Sequence, residues 1–88
     1  MDNLTDYELD YIFDYIDFLL RRGQFDVVDA ILHALTYRVD TMNLDEGLTY
    51  LTVTIAAKNK LRYRKSFYDA VYNKFKDDKR PTLFSGLD

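Results

Sequence analysis

The sequence predicts an all-α protein, a small bundle of about four short helices that opens with an αα-hairpin. Three observations support this fold class. Apolar residues recur at intervals of three and four along most of the 88-residue chain, the spacing that places side chains on one face of an α-helix. Helix-capping residues precede two of these segments, at Thr5 and Asn43. Hydrophobic residues form 48% of the chain, which is too apolar for an intrinsically disordered protein.

The first helix is predicted over residues 5–22. Thr5 and Glu8 have the spacing of a capping box, in which each side chain accepts a hydrogen bond from the other residue's backbone N–H. Two arginines suit the negative end of the helix dipole, and Gly23 can adopt the left-handed conformation that ends the helix. The apolar face consists of Leu9, Ile12, Phe13, Ile16, Leu19 and Leu20.

A second helix is predicted from Gln24 to Thr36, with an apolar side formed by Phe25, Val28, Ile31, Leu32 and Leu35. The very short link at Gly23 makes it the antiparallel neighbour of the first helix. The segment 37–42 is compatible with an extension of this helix or with a connector.

Asn43 and Glu46 repeat the capping-box spacing and open a third helix, which ends near residues 58–60. Its predicted apolar face is Leu44, Leu48, Leu51 and Ile55. Three β-branched residues at 52–54 weaken the helix propensity, so a short strand is the alternative there.

A fourth helix is predicted over about Tyr63 to Asp77, with Phe67, Tyr68, Val71, Tyr72 and Phe75 inward or nearly so. The sequence Lys-Arg-Pro at 79–81 ends regular structure. We therefore predict a single domain over residues 1–78 and a flexible C-terminal tail over 79–88.

Composition argues against catalysis and against export. The chain has no cysteine, which excludes disulfides, thiolate catalysis and zinc sites built on sulfur. His33 is the sole histidine, without an obvious catalytic partner close in sequence, and the three glycines are isolated. We therefore expect no enzymatic activity, no cofactor and no bound metal. An acidic N-terminus and the lack of a long apolar run predict a cytoplasmic protein with no membrane partner.

The segments Arg21 to Leu32, Leu48 to Ala57 and Lys60 to Arg64 together resemble small all-helical proteins encoded by bacteriophages. The resemblance covers about residues 18–75. Where those proteins have a proline and a small residue before the last helix, this chain has Arg62 and Tyr63. The resemblance implies a phage origin, and with it an accessory protein or a modulator of a host protein.

Four aspartates follow one edge of the first helix at intervals of four, four and three residues: Asp6, Asp10, Asp14 and Asp17. Like charges at this spacing repel each other by a few tenths of a kcal/mol per pair, so something should offset them. The row either mimics nucleic-acid phosphates or meets a basic partner, or it faces the chain's own basic half. Residues 1–47 hold eleven acids against three bases, and residues 48–88 hold four acids against nine bases.

A separate aromatic face of the same helix comprises Tyr7, Tyr11, Tyr15 and Phe18. At 100° per residue these rings point largely away from the main apolar face. A chain of 88 residues can hardly surround one helix on all sides, so the rings form either an exposed binding patch or a second core layer. We predict a protein-interaction module that uses this aromatic and acidic face to bind another protein, a second copy of itself as a homodimer, or both.

The alternative is a nucleic-acid-binding or nucleic-acid-mimicking regulatory factor, in which a basic cluster would bind nucleic acid directly or the aspartate row would mimic it. The basic cluster comprises Lys58, Lys60, Arg62, Arg64 and Lys65. Cations interleaved with aromatic rings can follow a phosphate backbone and stack on bases. A pI near 5.0 argues against direct nucleic-acid binding, so the favoured alternatives for this cluster are a solvated loop or a docking site for an acidic protein surface.

Overall fold

A computed structural model describes residues 6–77, 84, 86 and 87, and for residues 6–10 it describes the backbone only. These residues form four α-helices, α1 (Asp6–Arg21), α2 (Phe25–Thr36), α3 (Leu44–Val53) and α4 (Arg64–Phe75). Two 3₁₀ helices, Val39–Thr41 and Ile55–Lys60, lie between them. The prediction of a small all-α bundle that opens with a helix pair is confirmed. Thr5, the predicted cap of the first helix, lies outside the described residues.

The turn between α1 and α2 depends on Gly23, whose φ of +73° lies in the left-handed region. The Gln24 N–H donates to the Leu19 carbonyl at 2.9 Å, and the Gly23 N–H donates to the Leu20 carbonyl at 3.1 Å. These two hydrogen bonds form a Schellman motif, which satisfies carbonyls that the end of α1 would leave unpaired. The chain therefore reverses within three residues, and α2 packs back against α1.

The N-terminus of α3 follows the predicted cap, because the Asn43 side-chain oxygen accepts a hydrogen bond from the Glu46 N–H at 2.9 Å. The strand alternative for residues 52–54 is wrong. The hydroxyls of Thr52 and Thr54 donate to carbonyls four residues back, at 2.8 and 2.7 Å. Such bonds and the β-branched side chains weaken a helix locally, and the chain tightens to 3₁₀ geometry from Ile55 instead of continuing as one α-helix.

Long-range polar contacts fix α4 and the connector after α2. The Tyr63 N–H, just before α4, donates to the Asp29 carboxylate of α2 at 2.7 Å. The Lys74 ammonium group donates to the carbonyls of Val39 and Asp40, each at 2.8 Å. Residues 37–42 therefore form a turn and a short 3₁₀ helix held by α4, not an extension of α2.

The core draws on every helix and on the C-terminal segment. Its buried apolar residues are Ile16, Leu19, Val28, Leu32, Val39, Met42, Leu44, Tyr50, Leu51, Ala57, Leu61, Phe67, Val71 and Phe84. Phe84 belongs to the segment predicted as a flexible tail, but it is 4% exposed and packs edge-on against Tyr68 and Tyr72. That segment therefore contributes to the core at Phe84.

Tyr50 lies at the centre of the core, and its hydroxyl group is buried with its ring. Its ring contacts Phe13 edge-on at 4.7 Å and Phe67 at 5.9 Å between ring centroids. Among the described residues, no group forms a hydrogen bond with the buried hydroxyl. Burial raises the pKa of Tyr50 to about 12, with a smaller contribution from Glu46 and an opposing one from Arg38.

We expect Tyr50→Phe to leave the free energy of unfolding at neutral pH unchanged, or to raise it by up to about 1 kcal/mol, because it removes an unpaired buried hydroxyl. Because the folded-state pKa of about 12 exceeds the ordinary 10.0, ionisation of Tyr50 above pH 10 favours the unfolded state, and the stability present below pH 10 is lost as the pH rises towards 12. Urea unfolding across this range should therefore show a shallower alkaline loss of stability for the variant. If the free energy of unfolding of Tyr50→Phe instead falls by several kcal/mol at neutral pH, the Tyr50 hydroxyl has a hydrogen-bond partner in the folded protein.

Candidate protein-interaction surface

The described part of α1 has a buried side and an aromatic side. Ile16 is fully buried and Leu19 is 6% exposed, whereas Tyr11, Tyr15 and Phe18 are 59%, 52% and 52% exposed. We call these last three residues the aromatic stripe. The structure therefore places their rings on the surface of a single chain and does not bury them in a second core layer. The side chains of Asp6, Tyr7 and Asp10, predicted to extend this surface, lie outside the described residues.

The aromatic stripe ends in a cation. The Arg22 guanidinium lies over the Phe18 ring, 5.3 Å from its centroid, a cation–π arrangement. The Arg22 N–H also donates to the Phe18 carbonyl at 3.2 Å, so residue 22 keeps the helical register although α1 ends at Arg21. Tyr11, Tyr15, Phe18 and Arg22 therefore follow one another along one line of the helix surface.

We call the side of α1 that holds Asp14 and Asp17 the aspartate edge. It also includes Arg21 and so carries both signs of charge. Asp14 is exposed, and Asp17 accepts a hydrogen bond from the Arg21 Nε at 2.9 Å. The side chains of this ion pair are 49% and 79% exposed, so it contributes little to stability. Between described residues, both ion pairs join neighbours on one helix, Asp17 with Arg21 and Lys65 with Asp69. Neither of these ion pairs joins the acidic half to the basic half, which was one of the alternatives for the aspartate row.

The basic cluster divides into surface and core. Lys58, Lys60, Arg62 and Lys65 are exposed, whereas Arg64 is 2% exposed. Lys60 lies 4.8 Å from the centroid of the Phe25 ring, and Lys65 lies 3.9 Å from an Asp69 carboxylate oxygen. Two of the four exposed cations, Lys60 and Lys65, therefore have neighbours on the chain, and the buried Arg64 is not available to an outside ligand.

Arg64 instead joins three parts of the fold. Its Nε donates to the Thr54 hydroxyl at 2.8 Å, and one terminal nitrogen donates to the Leu51 carbonyl at 2.6 Å and to the Leu87 carbonyl at 2.5 Å. The guanidinium thus links α4 to the end of α3 and to the C-terminal segment. Sequence reasoning missed this role. The available signal was an arginine in the first turn of a helix, where the dipole disfavours a cation.

His33 takes part in an aromatic cluster. Its ring stacks on Tyr63 at 4.2 Å and meets Tyr37 edge-on at 5.4 Å. The histidine therefore contributes to packing between α2 and the start of α4. In the described part of the chain, no three Asp, Glu or His side chains are grouped so that they could hold a metal ion.

No family model matches the chain, and no curated protein or solved structure is similar enough to count as a match. Within residues 6–77, no helix combines the length and the apolar character needed to cross a membrane. The surface of the chain itself is therefore the basis for inferring its function.

We expect Arg64→Ala to lower the free energy of unfolding by about 3 kcal/mol or more, because it removes the donor from three oxygen atoms, two at the end of α3 and one in the C-terminal segment. The adjacent Lys65→Ala, which removes an exposed cation, should change it by less than about 0.5 kcal/mol. Urea unfolding monitored by circular dichroism compares the two variants. Equal, small effects would show that Arg64 behaves as a surface cation and belongs with the exposed basic cluster.

Proposed function

We propose that the chain is a non-enzymatic protein-interaction module that binds its partner through the aromatic stripe and the aspartate edge of α1. The observation that carries this proposal is the exposure of three neighbouring large rings, Tyr11, Tyr15 and Phe18, each more than half accessible on one helix. Contiguous apolar surface of this kind on a small protein is typical of binding sites.

The chemistry of these rings suits a protein interface. Tyrosine and phenylalanine offer a large contact area with few rotatable bonds, so that ordering them on binding costs little conformational entropy. A tyrosine side chain combines an apolar ring with a polar hydroxyl group, which suits a surface that is in contact with water before binding and with a partner afterwards. The stripe thus supplies buried area, and the charges beside it, such as Asp14, select among partners.

The packing of α1 supports the same function. Its contribution to the core comes from the other side of the helix, where Ile16 and Leu19 are buried. Folding therefore does not require the exposed rings of Tyr15 and Phe18. In line with the resemblance to phage proteins, we propose a host protein as one partner and the host cytoplasm as the place of action.

Direct nucleic-acid binding receives less support from the structure. Burial of Arg64 reduces the exposed basic cluster to Lys58, Lys60, Arg62 and Lys65. Non-specific nucleic-acid affinity depends on the number of phosphates that cations neutralise, so each lost cation weakens it.

The test substitutes both tyrosines, Tyr11→Ala with Tyr15→Ala, and the matched control is Tyr37→Ala. Tyr37 is the most exposed of the exposed large apolar residues, at 78%, but it follows α2. Each chain is immobilised and challenged with a bacterial lysate and with free wild-type chain, and the bound proteins are quantified. We expect the double variant to lose at least about 30-fold in binding, the scale of an interface hot spot, and the control to bind like the wild type.

Circular dichroism and urea unfolding accompany this experiment. Exposed tyrosines contribute little to the fold, so the double variant should keep its helical signal and unfold within about 1 kcal/mol of the wild type. The proposal fails if no protein distinguishes the wild type from the double variant. It also fails if the double variant unfolds, since the rings would then stabilise the monomer.

A further inference from the structure

The spacing of the aromatic stripe indicates the shape of its partner. Tyr11, Tyr15, Phe18 and Arg22 are separated by four, three and four residues. This is the spacing of the a and d positions of a heptad, whose side chains form the seam between two packed helices. The stripe therefore matches a helix that lies along α1, about three turns in length. A partner with a flat or irregular surface would not require side chains at this heptad spacing.

The residues that flank the seam differ on its two sides. On one side stand Asp14 and Arg21, seven residues apart, both exposed and opposite in charge. On the other side are Leu19, which is buried in the chain's own core, and Ile12, which is partly buried against that core. Only the charged side is available to a neighbouring helix, so it determines which helix fits and in which direction.

An antiparallel copy of α1 meets these requirements. In an antiparallel pair related by a two-fold axis, the charged sides of the two helices face each other, so Asp14 of each chain lies near Arg21 of the second copy. In a parallel pair, the charged side of one helix would face the opposite side of the other, where Ile12 and Leu19 are turned into the core. Antiparallel helix dipoles also attract each other.

We propose that a second copy of this chain occupies the aromatic stripe, as a two-fold dimer in which the α1 helices pack antiparallel. This inference rests on the proposed function, because it names the occupant of the same surface. Tyr15 of each chain then packs against Phe18 of the second copy, and Tyr11 packs beneath Arg22 of the second copy. These contacts are reciprocal, as a two-fold interface requires.

The charges of the isolated chain are compatible with this pairing. Arg21 uses its Nε for Asp17, and a guanidinium carries five N–H donors in all, so Arg21 can bind Asp14 of the second copy without releasing Asp17. Ile16, which is fully buried, lies on another side of α1 from the seam, so pairing along the stripe leaves its place in the core unchanged. A seam of this length forms a small interface, for which we expect a dissociation constant in the micromolar range or above.

The test reverses one charge at a time. Asp14→Arg places two arginines at each end of the interface, and Arg21→Glu places two carboxylates there, so each variant alone should dimerise at least about tenfold more weakly than the wild type. An equimolar mixture of the two variants restores an opposite pair at both ends. It should form a heterodimer with a dissociation constant within about threefold of the wild-type value.

Sedimentation velocity over chain concentrations up to about 1 mM covers the weak range expected for so small an interface. The matched control is Asp69→Arg, which reverses an exposed aspartate on α4 and should leave the dimer unchanged. Circular dichroism confirms that each variant is folded. Dimerisation that weakens in both single variants, returns in the mixture and persists in the control supports the proposal.

The remaining outcomes separate this inference from the function on which it rests. A wild-type chain that stays monomeric over the whole range overturns the dimer, and the lysate experiment above then decides the proposed function by itself. A dimer that ignores the charge reversals but disappears with Tyr11→Ala and Tyr15→Ala overturns the antiparallel geometry and supports the stripe as an interface. A dimer that survives all of these substitutions counts against both the antiparallel dimer and the proposed function of the aromatic stripe.

Discussion

The helices that the structure describes bury one side of α1, and the surface chemistry of the chain follows from that constraint. Ile16 and Leu19 pack into a core shared with three other helices, and none of the described helices buries the Tyr15 and Phe18 rings on the opposite side. Small domains bury a smaller fraction of their surface than large ones do, so a helix with two apolar faces must expose one of them. Tyr11, Tyr15 and Phe18 occupy that exposed face.

Polar groups inside the molecule complement this small apolar core. The Arg64 guanidinium links α3, α4 and the C-terminal segment, and the Asp29 carboxylate accepts the Tyr63 N–H at the start of α4. Both residues are buried, at 2% and 8% exposure, and both satisfy backbone groups from segments distant in sequence. A buried polar group holds its partners in one geometry, because any rearrangement would leave a hydrogen bond unmade. The helices α2, α3 and α4 and the C-terminal segment are therefore held together by directional contacts as well as by apolar packing.

The sequence predicted those features that depend on neighbours along the chain. The turn at Gly23, the Asn43 cap and the helical periodicity are local, so the hairpin and the start of α3 could be derived from the residues themselves. Contacts across the fold could not be derived, and they decided the remaining features. Phe84 joins the core because Tyr68 and Tyr72 lie beside it, and Arg64 leaves the basic cluster because acceptors on α3 and the C-terminal segment surround it. The wheel of α1 separated the rings from the core residues, but the fold was needed to show that the Tyr15 and Phe18 side chains are each 52% exposed.

Photochemically induced nuclear polarisation of tyrosine, recorded on a dilute and therefore monomeric sample, tests the exposure of the stripe most directly, because it detects only rings that a dye can reach. We expect strong signals from Tyr11 and Tyr15, comparable to that of Tyr37, because these side chains are 59%, 52% and 78% exposed. We expect no signal from Tyr50, which is 1% exposed. If Tyr11 and Tyr15 are as silent as Tyr50, their rings are covered within a single chain. That result would contradict the claim that α1 presents them for binding.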